Sequence, residues 1–428
     1  MFRTLINAFS EKDVRTRMIW TFLVLLVYRL GCFIPVPGLD ADAISKAIVT
    51  NDFLSIMSTI SGGALSNGTL FALGIIPFIN AFIIMQLLSL IIPPLERLSK
   101  EGEEGRKKLT QITRYFAIGL GVVQSVGIMV SWNKAGAVLE TFGSSIVTMM
   151  FVVIILVSGS AFVMWLGERI TEYGIGNGTS LLIFTGIISS FGTSLLTAMK
   201  GVGEDINNLW YILGFLLIVF VLFVIIVFID LSERKINIQY AKQVKGNKMY
   251  GGQSTHIPIR INASGVMPII FASAFLMFPQ MIGSFWPTSK FSQWYGQNLG
   301  AGTWGYIVLM SLLILFFSFF YAQIQFNPED VSRNIQQYGG FIPGIRPGKP
   351  TTEYLAKINN RLTLMGAIFL AFIAIVPSVI FAIIFGAQAQ LINAFSATGM
   401  LIVVSIALEI DKQLQGQLMM KHYKGFLK

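Results

Sequence analysis

Residues 53–92 read FLSIMSTISGGALSNGTLFALGIIPFINAFIIMQLLSLII, and not one of these side chains is charged. A helix that crosses a bilayer needs roughly 20 apolar residues, so this run is too long for one crossing and too short for two with a turn. Gly62-Gly63 and Asn67-Gly68 divide it. The part before them, about 53–65, is moderately apolar and cannot span. At membrane depth, non-helical backbone must be packed inside protein or line an aqueous cavity. The spacing therefore predicts a short re-entrant helix followed by one span from about Thr69. An outside surface helix is the other reading of 53–65.

The rest of the chain repeats the apolar part of this pattern. Runs of spanning length lie near 18–36, 69–92, 110–131, 144–167, 179–199, 209–230, 262–283, 304–326, 362–386 and 392–410. Of the 428 residues, 54% are hydrophobic and 12% charged, where soluble proteins carry about a quarter charged. The mean hydropathy is +0.70. The reading is an all-α polytopic membrane protein with ten transmembrane helices and a re-entrant segment. The first run follows a mixed-charge N-terminus and has no small-residue cleavage site after it, so it reads as a retained span.

The net charge of +10 is a topology signal. With ten spans, alternate connecting segments face opposite sides. One set (the two termini, 93–114, 168–178, 231–261 and 327–361) holds 26 of the 31 Lys and Arg. The other set holds Lys46, Lys134, Lys200 and Lys290, and Arg29 lies within the first span. Positive residues concentrate on the cytoplasmic side, so both termini are expected there. Two cytoplasmic loops are long. In 231–261 the words Lys235–Tyr240 and His256–Ile261 alternate apolar and polar residues, the period of strands in a hairpin. In 327–361, Phe341–Pro350 carries Pro and Gly at a density that makes a stiff exposed turn. The halves 1–200 and 201–428 hold five spans each, which suits an inverted repeat.

The chemistry expected of an enzyme or an ion-coupled carrier is missing from the sequence. The lone cysteine, Cys32, sits in an apolar run, and His256 and His422 lie far apart. No metal site or cofactor is expected. Charges inside spans mark ion pathways. Here Asp230 and Glu409 stand near cytoplasmic ends, and Arg29 either snorkels outward or pairs with a neighbour. Gly344…Gly348-Lys349-Pro350-Thr351 has the wrong spacing for a phosphate loop, and Gly174-Ile175-Gly176-Asn177-Gly178 has no parallel sheet around it. No nucleophile–base constellation appears. Residue types alone leave three readings open: a passive protein-conducting channel, a secondary transporter with inverted repeats, and a scaffold.

Specific words narrow the choice. They include Ala72-Leu73-Gly74-Ile75-Ile76-Pro77, Lys100-Glu101-Gly102-Glu103-Glu104-Gly105-Arg106, Trp165-Leu166-Gly167-Glu168, Gln253-Ser254-Thr255-His256, Asn262–Pro268 and Gly344-Ile345-Arg346-Pro347-Gly348. In order and spacing, across essentially the whole chain, they resemble the bacterial SecY family, channel subunits of the general protein translocase. The resemblance implies two pseudo-symmetric inverted five-helix halves, closed around an hourglass pore. It implies a non-enzymatic, multi-pass protein of the bacterial inner membrane. Signal-bearing preproteins would pass through the pore, and membrane segments would leave it for lipid by a lateral gate. It implies SecE and SecG as subunits, and the SecA motor ATPase or a ribosome as the driving partner.

Residue by residue, the resemblance places an apolar pore ring on Ile79, Ile83, Ile183, Ile187, Ile270 and Ile402. The pairs 79/83 and 183/187 are spaced i, i+4, so each faces one way on its helix. A ring of branched alkyl groups dewets and blocks ions without charge. The plug falls on Phe53, Ile56, Met57 and Ile60, with Gly62 and Gly63 as a flexible attachment. The lateral gate falls on Asn80, Gln124 and Asn262, amides that hydrogen-bond between helices in lipid. Docking of the motor or ribosome falls on Arg346 and on Arg234, Lys235, Lys242, Lys245 and Lys248. An Arg on a rigid turn is well placed to grip a partner carboxylate or phosphate.

Overall fold

The computed structural model describes residues 9–49, 52–139, 141, 144–202, 207–240, 243–245, 248–250, 254–262, 265, 267–286, 289–300, 303–384 and 397–425. In chain order the helices are α1 Lys12–Gly31, α2 Ala41–Val49, α3 Asp52–Ile60, α4 Ile76–Ile91, α5 Pro93–Lys100, α6 Glu103–Lys134, α7 Ser145–Tyr173, α8 Gly178–Val202 and α9 Asn207–Asp230. Strands β1 Glu233–Tyr240, β2 Gln243–Lys245, β3 Lys248–Tyr250 and β4 Ser254–Arg260 follow. Then come α10 Met267–Phe285, α11 Lys290–Leu299, α12 Trp304–Gln325, α13 Pro328–Gln337, β5 Gly340–Phe341, α14 Lys349–Ile384 and α15 Ala397–Gly425.

Each of the ten apolar runs overlaps a helix among the described residues, in several cases only in part. Six helices (α6, α7, α8, α9, α12 and α14) are long and apolar enough by themselves to cross a bilayer. Helix α4 joins them if it is taken together with α5, which leaves it at a bend of 102°. The bend has a cause in the sequence. Pro93 and Pro94 open α5, and a proline disfavours helical backbone in the residue before it, here the extended Ile92. On exposed α5, Lys100 hydrogen-bonds Glu96 at 2.6 Å and holds that carboxylate below the usual range. Large side chains on α9 stand bare: Trp210 is 74% exposed and Phe228 74%. A protein in water does not leave a whole helix face in this state, whereas lipid covers it.

The chain forms two compact units. One comprises 1–213, 274–306 and 381–428; the other comprises 214–273 and 307–380. The first unit holds a continuous core built around Ile44, Leu54, Met57, Leu65, Leu73, Met129, Trp132 and Leu156, each 2% exposed or less. The backbone between α3 and α4 packs closely here. A Cβ on Gly159 of α7 would collide with the Leu70 carbonyl oxygen, so only glycine lets the helix approach that loop. The second unit holds the β1–β4 hairpin. Its β1 pairs antiparallel with β4, Ile236 opposite Ile257, and β5 adds to the other edge of β1. The alternation seen in the sequence is the burial pattern found: Ile236 and Ile238 are buried while their neighbours face out. They pack on Ile335, Ile342 and Leu355.

Candidate functional site

The 53–65 segment is a short helix, ending at Ile60, and a turn, and it packs into protein instead of crossing. Helix α3 runs for nine residues, Asp52–Ile60. Leu54 and Met57 sit in the core of the first unit, and Ile60 packs against it. The Phe53 and Ile56 side chains lie outside the described residues. The helix ends in a turn that requires glycine. Gly62 and Gly63 have φ of +70° and +82°. The Gly63 N–H donates to the Ser58 carbonyl at 2.9 Å and Gly62 N–H to Thr59 at 3.3 Å, the paired bonds of a Schellman cap. The glycine pair is therefore a fixed turn in this state. Glycine serves both a left-handed turn and a flexible attachment, and spacing does not separate the two.

Two other elements hold this turn. From α1, Arg29 Nη1 donates to the Gly62 carbonyl at 3.3 Å, and its guanidinium lies 5.1 Å from the centre of the Phe33 ring. From α8, Ser190 Oγ donates to the Thr59 carbonyl at 2.9 Å. A Cβ on Gly186 of α8 would collide with the Ile60 carbonyl oxygen. The positions 183, 187 and 190 follow i, i+4, i+7 and share one face of α8. Thus the stretch of α8 that bears Ile183 and Ile187 is also the stretch on which the end of α3 rests. Ile83, Ile183, Ile187 and Ile402 are buried and Ile79 half-buried, all in the first unit. Helix α15, which carries Ile402, packs on α8. Ile270 is half-buried at the start of α10, in the second unit.

The three amides sit in different settings. Asn80 on α4 and Gln124 on α6 are buried on helices that pack together, and Gln124 Oε1 finds no hydrogen-bond partner among the described residues. Asn262 does not lie in a helix; it occupies the turn before α10. Its Nδ2 donates to Asp230 Oδ1 at 2.7 Å, and its own Oδ1 has no partner among the described residues. The Ile261 N–H donates to the Ser232 carbonyl at 3.1 Å, so the pair closes the root of the β1–β4 hairpin. The partner of Asn262 could not be found from spacing, since Asp230 stands at the far end of a long loop.

The basic positions are exposed where they are described. Arg234 and Lys235 point outward from β1, with Lys235 Nζ 3.6 Å from Glu233. The Lys245 and Lys248 backbones pair across the β2–β3 turn, and their side chains lie outside the described residues, as does all of Lys242. Arg346 is exposed on a braced turn. Its carbonyl accepts from Thr351 Oγ1 at 2.9 Å, Ile345 N–H donates to Ile342, and Gly344 and Gly348 take φ of +81° and +94°. Buried Ile342 pins the turn to the hairpin core. Sequence reasoning missed α2. Its signals were Asp40, whose carboxylate caps the Asp42 N–H at 3.0 Å, and the i, i+4 pair Ile44 and Ile48.

Comparison with known proteins places the chain in a family. A family model described as SecY matches residues 69–410. A protein named protein translocase subunit SecY from Streptomyces coelicolor is 41% identical, over 100% of both chains. One of the same name from Bacillus subtilis is 42% identical, again over 100% of both. Among solved structures, a SecY whose plug domain is described as stabilising the closed translocation channel matches with a TM-score of 0.66. It is 20% identical, over 95% of this chain and 92% of that one.

Proposed function

The chain belongs to the SecY family, and from that membership we propose that it is the pore subunit of a protein-conducting channel. Unfolded, signal-bearing preproteins pass through it, and apolar segments leave sideways into lipid. Full-length likeness to named translocase subunits carries the reading, and helix α3 returning into the core of the first unit supports it. In the closed state α3 is the plug. Ile79, Ile83, Ile183, Ile187, Ile270 and Ile402 form the seal, and the halves 1–200 and 201–428 open around it. Asn80, Gln124 and Asn262 belong to the gate between spans two to three and seven to eight. An amide bond between helices in lipid is worth about 0.6–2 kcal/mol, enough to hold a gate yet small beside the transfer of an apolar signal.

The protein performs no catalysis itself, and its energy comes from a partner. SecE and SecG complete the complex, and a SecA motor or a ribosome docks on Arg346 and the basic hairpin. The chain lies in the bacterial inner membrane with both termini in the cytoplasm, as the positive charge of the cytoplasmic loops favours. The test is transport into vesicles that carry the chain with SecE and SecG, supplied with SecA and ATP. Protease-protected preprotein is expected only when the preprotein bears its signal. Equal protection in vesicles that lack this chain would reject the reading.

A further inference from the structure

Arg29 is the charged residue that the apolar character of the first span leaves unexplained. A guanidinium within a span is costly and marks function when it has a definite partner, and this one stands half-buried in the last turn of α1. Its partner here is a backbone carbonyl in the turn that follows α3, the Gly62 oxygen at 3.3 Å. The last carbonyls of a helix lack intrahelical donors and carry the negative end of the helix dipole. The cap already answers the Ser58 and Thr59 carbonyls of α3 from the backbone, and side chains of two other helices add to it: Ser190 on the Thr59 carbonyl and Arg29 on the Gly62 carbonyl, two residues beyond the helix end. Gly186 leaves room for the Ile60 oxygen. The Phe33 ring against the guanidinium holds it in place from its own side.

We infer that Arg29 is a positioning residue that latches the plug, with Ser190 as a second, weaker catch. This rests on the reading of α3 as the plug. The latch grips backbone oxygens, so it acts whatever side chains the plug carries. It is reversible because what is given up is hydrogen bonds and a dipole contact, which water in an opening pore can replace. The cation is also kept within the protein: once α3 leaves, Arg29 faces the vacated cavity with its donors free for the passing chain's carbonyls.

The experiment uses the full chain with its partner subunits, reconstituted in vesicles, with Cys32 changed to Ala and Met57 to Cys. Met57 is 1% exposed, so maleimide labelling at that position reports release of α3. A hydrogen bond to a charged donor is worth enough that Arg29→Ala is expected to speed resting labelling by about tenfold. Ser190→Ala should speed it less, and Arg29→Lys, which keeps the cation, should stay near the parent rate. Resting ion conductance of a chain lacking 52–60 is measured alongside. If that deletion opens the channel while Arg29→Ala labels like the parent, the latch is wrong and the plug stands. If the deletion leaves conductance unchanged, the plug reading fails and takes the latch with it. Fast labelling of Arg29→Lys equal to that of Arg29→Ala would also overturn the proposal, because loss of packing and not of charge would then be the cause.

Discussion

Changing Ile83, Ile183 and Ile187 together to serine is expected to raise the resting ion conductance of the reconstituted channel by about one to two orders of magnitude. The estimate follows from hydration. A narrow passage lined by alkyl groups excludes water, and an ion does not enter without it. Each isoleucine contributes some part of the ~1.5–3 kcal/mol that separates a buried alkyl side chain from a hydrated one, and ~1.4 kcal/mol is a factor of ten. All three residues are buried in the first unit, and two lie on the face of α8 that supports the end of α3. Serine also shortens the side chain, which widens the passage. Single-channel recording in planar bilayers reads the effect directly. Conductance equal to that of the parent would remove these residues from the seal.

Arg346→Glu is expected to lower motor-driven export by about a hundredfold while the protein still assembles in the membrane. The loss of one member of a desolvated charge pair costs about 2–5 kcal/mol, and reversal adds repulsion. The turn itself should survive. Arg346 points to solvent, and what shapes the turn is the Thr351 hydroxyl on its carbonyl, the left-handed Gly344 and Gly348, and buried Ile342. A change in fold would require one of those to fail. The measurement is the rate of ATP-driven preprotein uptake into vesicles with equal amounts of assembled complex. Uptake at the parent rate would show that the turn is not a docking point.

The long apolar runs made the membrane class and the helical build legible, because lipid imposes length and apolar composition on a span. The hairpin was legible for a similar reason: Ile236 and Ile238 alternate with polar residues because one face of β1 is buried. What stayed hidden were contacts between distant segments. Arg29 meets Gly62 across 33 residues, Ser190 meets Thr59 across 131, and Asn262 meets Asp230 across 32. No local pattern encodes such pairs. The Gly62-Gly63 word was visible but ambiguous, since a left-handed turn and a flexible joint use the same residue. Helix α2 was passed over because nine residues carry too little periodicity beside longer apolar runs.

If this chain is the pore, a translocating polypeptide runs past its isoleucines. A photo-crosslinking amino acid in place of Ile183 tests it most directly. A signal-bearing preprotein is stalled midway by a folded domain fused to its C-terminus. A crosslink between position 183 and the stalled segment is expected with ATP and the motor, and is expected to vanish when the signal is deleted. Crosslinks confined to lipid or to partner subunits, under conditions where the preprotein is demonstrably stalled across the membrane, would contradict it.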